Sequence, residues 1–296
     1  MTPRDMVAAA LVSAAWGFGF VAIKLGLDSF SAPQLTAIRF LIACLPVLLV
    51  PRPRIPWSAI FLIGLTLFAG QFILLFLAFS TGMPPGLASV TQQMQAFFTI
   101  LLAAVFLRDV LTSRQVAGAT TAFIGLALVG LTLGSDVKPV ALLLALSAAF
   151  SWAIGNVLVR RLPPLPMFPL VVWCSLVPPL PAIALSIASD PAAPVLGDFA
   201  RASWLSIGAA LYLGVVATVL AYAAWGSLLQ RYPAALVAPF ALLAPCTGVL
   251  SSALIFGEVF SPLCYAGMAL IFGGLLVILL PGSSPATSAK RDRRSP

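Results

Sequence analysis

The chain alternates between long apolar runs and short gaps that contain charged, Pro or Gly residues. A membrane-spanning helix needs about 20 mostly apolar residues. By this measure the sequence divides into ten runs, over 6–25, 33–50, 57–80, 85–107, 114–133, 139–159, 168–188, 203–229, 234–257 and 262–280. The runs lack the alternating polarity of membrane barrel strands. Because backbone in lipid must satisfy its own hydrogen bonds, the pattern predicts an all-α integral membrane protein with ten transmembrane helices.

The composition supports this interpretation. Of the 296 residues, 61% are hydrophobic and 8% are charged, whereas soluble domains carry roughly 25% charged residues. This balance excludes a water-soluble enzyme and also excludes disorder. The net charge of +8 is spread through the gaps and forms no patch. The expected partner is therefore the lipid bilayer, and no nucleic acid is expected.

The basic residues divide unequally between the two sides of the predicted helices. Twelve lie on one side: Arg4, Arg52, Arg54, Arg108, Arg114, Arg160, Arg161, Arg231, Lys290, Arg291, Arg293 and Arg294. Three lie on the other: Lys24, Lys138 and Arg201. By the positive-inside rule, both termini are expected in the cytoplasm. The basic stretch 282–296 is expected to be a disordered cytoplasmic tail.

An internal repeat relates the two halves of the chain. Trp16, Gly19, Val21 and Lys24 match Trp152, Gly155, Val157 and Arg160; Pro84, Asp109, Gly118 and Gly125 match Pro233, Glu258, Gly267 and Gly274. The repeats are 1–134 and 135–281, with five helices each. Because five is odd, the second copy is expected to be inverted. Inverted repeats around a central cavity predict a secondary transporter that works by alternating access. The first run has an internal counterpart, which disfavours a cleaved signal peptide.

Glutamine side chains inside the apolar runs are the first candidates for a substrate site. Gln92 and Gln95 are three residues apart and share a helix face near the predicted midplane. Gln71 lies inside the third run. Polar groups in lipid usually face the bundle interior, where these uncharged amides could hold a zwitterionic amino acid. Hydrogen bonding between helices is the alternative.

Further candidates for the cavity wall are the remaining polar and aromatic residues at depth. They are Trp16, Trp152, Asn156, Tyr212, Tyr222 and Trp225. Aromatic residues in membrane proteins commonly form interfacial belts, but Trp16, Trp152 and Tyr212 lie within the runs. They could shape an aromatic pocket, and structural packing is the alternative.

Two prolines, Pro239 and Pro245, lie in the repeat counterpart of the glutamine cluster. Since proline lacks an N–H, each frees a carbonyl four residues upstream, at Ala235 and Ala241. A bend for gating and a static kink are both compatible with this pattern.

Two cations, Lys24 and Arg39, are expected toward the outer side of the membrane. The favoured interpretation is that they snorkel or pair with Asp28 or Glu258. The alternative is a cationic gate for a substrate carboxylate.

The sequence contains no His, and its eight acids are predicted in loops or at helix ends. The four Cys lack metal-ligand spacing. We therefore expect no catalytic cluster, no metal and no cofactor. Without a proton relay, facilitated transport is expected. A membrane-embedded enzyme and a passive channel are the disfavoured alternatives.

The motifs also carry a resemblance. Trp16 to Lys24, Pro33 to Phe40, Phe79 to Gly118 and their second-half copies resemble the EamA family of the drug/metabolite transporter superfamily. The stretch from Gly82 to Thr99 is similar to bacterial amino-acid exporters of the cysteine/O-acetylserine type, to which aromatic amino-acid exporters are related. The resemblance implies ten helices in two inverted halves and export of amino acids or related metabolites through a bacterial inner membrane. A proton-coupled drug or metabolite efflux transporter on the same fold is the alternative. A monomer is compatible with the sequence, which leaves the substrate, the direction of transport and the oligomeric state open.

Overall fold

The computed structural model describes residues 1–108, 112–131, 137–189, 199, 201–232, 237, 240–241 and 243–279, and all regular structure in these ranges is helical. Within these ranges, six helices are long and apolar enough to cross a membrane: α1 (Pro3–Gly26), α3 (Trp57–Ser80), α4 (Pro85–Phe106), α6 (Pro139–Arg160), α7 (Met167–Ser189) and α8 (Trp204–Leu228). The further apolar helices are α2 (Ala32–Leu48), α5 (Ser113–Leu131), α9 (Leu243–Phe256) and α10 (Pro262–Leu279). Each predicted run overlaps one of these helices. The predicted tail lies outside the described residues.

Local sequence signals mark the first two helix starts. Thr2 caps α1, because its hydroxyl accepts the backbone N–H of Asp5 across 3.2 Å. Ser31 and Gln34 form a reciprocal capping box at the start of α2. In both helices proline occupies the first turn, where its missing N–H has no intrahelical role.

Several helices depart from regular α geometry near the centre of the bundle. Helices α3 and α8 contain π-helical segments at Gly64–Gly70 and Tyr212–Leu220. Helix α4 is interrupted at Gln92 and Gln93, and the amides of Gln93, Gln95 and Ala96 bond to carbonyls three residues upstream. Single π-helical turns occur frequently at functional sites, so these segments indicate a functional site near the bundle centre.

Helix contacts follow the same pattern in the two halves. Helix α1 packs against α8 and α9, and α6 packs against α3 and α4. Gly19 of α1 faces Leu213 of α8, and its repeat counterpart Gly155 of α6 faces Leu67 of α3. Residues that the predicted repeat matches therefore make similar contacts.

Helices α5 and α10 pack closely against each other through glycines. A methyl group added at Gly125 would lie 2.5 Å from the carbonyl oxygen of Gly267, and one at Gly274 would meet the carbonyl oxygen of Gly118. Small residues let membrane helices approach this closely. In the predicted repeat, Gly125 corresponds to Gly274 and Gly267 corresponds to Gly118, so the two contacts are equivalent. The interface therefore has the form of an isologous pair.

Candidate functional site

A cavity of about 380 Å³ lies between the helices of the two halves. This volume falls within the range of small-molecule sites. Nine of the candidate site residues line it: Trp16, Arg39, Gln71, Gln92, Gln95, Trp152, Asn156, Tyr222 and Trp225. Residues up to about 200 positions apart in the chain thus share one wall.

Other sequence candidates lie elsewhere. Tyr212 is not a lining residue; its hydroxyl donates to the carbonyl of Ala15 across 2.7 Å and so ties α8 to α1. Lys24 also lies outside the cavity, with its ammonium 5.7 Å from the centre of the Phe256 ring. Pro239 falls outside the described residues.

Gln71 and Gln92 combine burial with unused hydrogen-bonding capacity. They are 3% and 1% exposed, and the Oε1 atom of each has no donor among the described residues. The Nε2 group of Gln92 donates to the carbonyl of Ala145 across 3.0 Å. A buried acceptor without a donor is costly, and a ligand N–H in this cavity could supply the missing bond.

Gln95 and Asn156 are engaged with each other. The Asn156 side chain donates to Oε1 of Gln95 across 2.9 Å and to the hydroxyl of Thr99 across 3.2 Å. These bonds link α6 to α4 at the cavity wall. They correspond to the interhelical alternative for Gln95.

Aromatic rings form one side of the cavity. The Trp16 ring centre lies 5.3 Å from that of Tyr222 and 5.2 Å from that of Trp225. The Trp16 indole donates to the carbonyl of Ala217, across 3.0 Å, in the π-helical segment of α8. With its N–H occupied, Trp16 is held as a fixed apolar surface beside the polar groups.

Arg39 is buried in the cavity wall, with 3% of its surface exposed. Its Nε donates to the hydroxyl of Thr218 across 3.0 Å, and its guanidinium lies 3.8 Å from the centre of the Phe72 ring. The favoured expectation that it snorkels or pairs with Asp28 or Glu258 is wrong. The apolar residues around Arg39 in the sequence are compatible with a lipid-facing position. In the structure, however, the face of α2 that carries Arg39 packs against α8.

Glu258 has another partner. Its Oε2 accepts the backbone N–H of Gly86 across 3.1 Å and so caps the start of α4. Asp28 is exposed. No nitrogen of a described Lys or Arg side chain lies within 4.0 Å of a carboxylate oxygen of either acid.

Pro245 lies in the first turn of the described part of α9, beside the cavity rather than in its lining. Ala241, whose carbonyl Pro245 cannot bond, does line the cavity and is in a 3₁₀ turn. The non-α backbone at this depth agrees with the predicted departure from regular helix.

Sequence reasoning missed Phe72 and Thr218, which hold Arg39. Their chemical character is ordinary for a membrane helix, and the only available signal was an arginine inside an apolar run. Among the described residues, no group of three His, Cys, Asp or Glu side chains is placed to hold a metal.

The comparisons with known proteins agree with this architecture. The EamA-like transporter family matches residues 5–131 and 139–280. A probable amino-acid metabolite efflux pump of Salmonella typhimurium is 39% identical over 284 residues, which cover 94% of this chain and 95% of the relative. A protein of the same description from Escherichia coli is 38% identical over the same shares.

A solved structure shares the fold. It aligns with a TM-score of 0.64 over 94% of this chain and 98% of its own, at 20% sequence identity. At this identity the likeness concerns the fold alone.

Proposed function

The chain belongs to the EamA-like transporter family, and we propose that it exports amino acids and related small metabolites across a bacterial inner membrane. The observation that carries the proposal is the pair of buried amide oxygens, on Gln71 and Gln92, that lack a donor in the cavity wall. Such oxygens accept hydrogen bonds from an ammonium group without adding a charge to the membrane interior. They suit a neutral zwitterion better than a lipophilic cation.

The relatives support the same substrate class. Both efflux pumps are described as acting on amino-acid metabolites, and their similarity extends over nearly the whole length of either chain. Trp16, Trp152, Tyr222 and Trp225 would form the apolar wall against which the substrate side chain packs. Asn156 and Gln95 would close that wall between α4 and α6.

The proposed architecture is two inverted repeats of five transmembrane helices, 1–134 and 135–281, followed by the tail 282–296. Three features support it: the two matched family segments, the exchanged glycine contacts between α5 and α10, and the π-helical segments at related places in α3 and α8. An odd number of helices per repeat inverts the second copy.

Alternating access is the proposed mechanism, and the position of the cavity along the bundle supports it. It extends to Val159 and Met167, where α6 ends and α7 begins. At the other end of the bundle, Ser206 donates to the carbonyl of Leu25 across 2.8 Å and Glu258 caps α4. With both termini in the cytoplasm, this conformation would be open toward the cytoplasm and closed outside. Reporter fusions to each terminus test that orientation.

Facilitated transport, without strict proton coupling, is the proposed energetics. The chain contains no His, and the described residues that line the cavity include no carboxylate. Proton relays in transporters use chains of Asp, Glu and His. Solute movement would therefore follow its own gradient.

The test is uptake of a panel of radiolabelled L-amino acids into proteoliposomes that contain the purified protein. Gln71→Leu and Gln92→Leu are compared with wild type, with Val259→Ala, at an exposed position, as the matched control. We expect saturable uptake that is lowered by roughly tenfold or more in the glutamine variants.

Two results would contradict the proposal. If wild-type uptake equals that of protein-free vesicles for every amino acid, the substrate class is wrong. If an imposed pH gradient drives accumulation above the external concentration, transport is proton-coupled rather than facilitative.

A further inference from the structure

We propose that Arg39 binds the carboxylate of the transported molecule, so that the cavity selects amino acids over the corresponding amides and amines. This inference rests on the proposed function, because it assigns one end of the same substrate. The sequence favoured a snorkelling residue on the outer side and left a cationic gate as the alternative, and the position of Arg39 in the cavity wall now favours a binding role.

The side chain is held in one orientation from two directions. Its Nε donates to the hydroxyl of Thr218, across 3.0 Å, and that hydroxyl donates its own proton to the carbonyl of Leu213 across 2.8 Å. The Leu213 carbonyl bond spans five residues, inside the π-helical segment of α8. The Phe72 ring supports the guanidinium face. Arg39 is therefore preorganised before any ligand arrives.

The outer edge of the guanidinium is left free. In the part of the chain that the structure describes, neither terminal nitrogen, Nη1 nor Nη2, has a hydrogen-bond partner. Neither is among the fully buried polar atoms without a partner, so both keep accessible surface, and Arg39 lines the cavity. Two parallel N–H donors on a planar fork match the two oxygens of a carboxylate.

The described residues also supply no counter-charge to Arg39. The described acids are Asp5, Asp28 and Glu258; Asp5 pairs with Arg231, and none pairs with Arg39. A buried charge is tolerated when it is paired and hydrogen-bonded. The ring of Phe72 attracts the cation but cannot neutralise it. A ligand carboxylate would complete the site.

The two halves of the protein contribute different groups to the cavity, and this difference would orient the substrate. At the offset of 136 residues that relates Trp16 to Trp152, Arg39 corresponds to Ser175, which is buried and uncharged. The second half therefore has no cation at the position that corresponds to Arg39. With Gln71 and Gln92 as acceptors for an ammonium group, the cavity offers one pole for each end of a zwitterion.

The test compares acids with their amides. L-serine, L-cysteine and L-phenylalanine are each titrated beside the corresponding amide, which keeps the ammonium group and side chain but lacks the carboxylate. Binding to the purified full chain is followed by the fluorescence of the tryptophans that line the cavity. We expect wild type to bind the acid roughly tenfold or more tightly than the amide. Arg39→Met should abolish that ratio and leave the Kd of the amide within about twofold.

Arg39→Lys is the second variant, and it also serves if Arg39→Met fails to fold. It keeps the charge but lacks the fork, so the ratio of acid to amide affinity should fall without disappearing. An equal loss of affinity for acid and amide in either variant would assign Arg39 a structural role and overturn the inference, while the proposed function would stand. Equal binding of acid and amide by wild type would overturn it as well. If wild type binds neither acids nor amides, the proposed function fails first and the inference fails with it.

Discussion

The side-chain amide of Asn156 donates a hydrogen bond to Oε1 of Gln95 across 2.9 Å. This bond distinguishes Gln95 from Gln92, which was predicted to lie on the same helix face. The acceptor of Gln95 is occupied by a neighbouring helix, whereas the acceptor of Gln92 is not. Both side chains line the same cavity. The sequence pattern predicts the same role for both glutamines, but their side-chain oxygens differ in hydrogen bonding.

Gln95→Ala is therefore expected to act mainly on stability. Removing the bond to Asn156 should lower the free energy of unfolding by about 0.6 kcal/mol, the average for interhelical bonds in a membrane, with a ceiling near 1.7 kcal/mol. A double-mutant cycle with Asn156→Ala, read from thermal unfolding in detergent, measures the coupling. Strictly additive effects would show that the two side chains do not depend on each other.

Gln71→Leu, unlike Gln95→Ala, is expected to lower the affinity for substrate without lowering stability. Its buried Oε1 has no donor in the part of the chain that the structure describes, and an unsatisfied buried acceptor costs about 1–3 kcal/mol. The apolar variant should therefore be as stable as wild type or more stable, while its affinity for amino acids falls. Thermal unfolding and ligand titration on one preparation check both parts. A destabilised variant with normal affinity would contradict the expectation.

Neighbouring glycines in α10 allow a matched comparison. A methyl group at Gly274 would meet the Gly118 carbonyl oxygen of α5, whereas one at Gly273 would meet nothing within 4 Å. Gly274→Ala should therefore lower stability by about 1–3 kcal/mol, as overpacking does. Gly273→Ala should leave the thermal midpoint near that of wild type. Equal midpoints for the two variants would mean that α5 and α10 do not pack through these glycines.

Glu258 is expected to stabilise the start of α4. Its carboxylate accepts the N–H of Gly86, and a hydrogen bond to a charged group contributes about 1.5–3 kcal/mol. Glu258→Ala should lose that contribution, and Glu258→Gln should lose less because it keeps an acceptor. Asp28→Ala, at an exposed position, is the control. The measurement is thermal unfolding, and a Gln variant as unstable as the Ala variant would assign the effect to charge alone.

The polar candidates illustrate how far sequence reasoning extends. Gln71, Gln92 and Asn156 could be identified because an amide in an apolar run is costly unless it faces the bundle interior. The same rule could not tell which amides pair with each other. That distinction depends on the distance between α4 and α6, which periodicity along one helix does not contain.

Arg39 shows most clearly which properties follow from the sequence and which depend on the tertiary structure. The sequence determined by itself that the chain forms apolar helices, because the thickness of the bilayer sets the length of each run, and it predicted that the two halves of the chain are repeats. Only the tertiary structure decided that Arg39 meets Thr218 and Phe72 in the cavity instead of snorkelling toward water. The physical reason is that a sequence specifies the order of residues along a helix, whereas burial and pairing of a charge depend on which other helices pack against that residue.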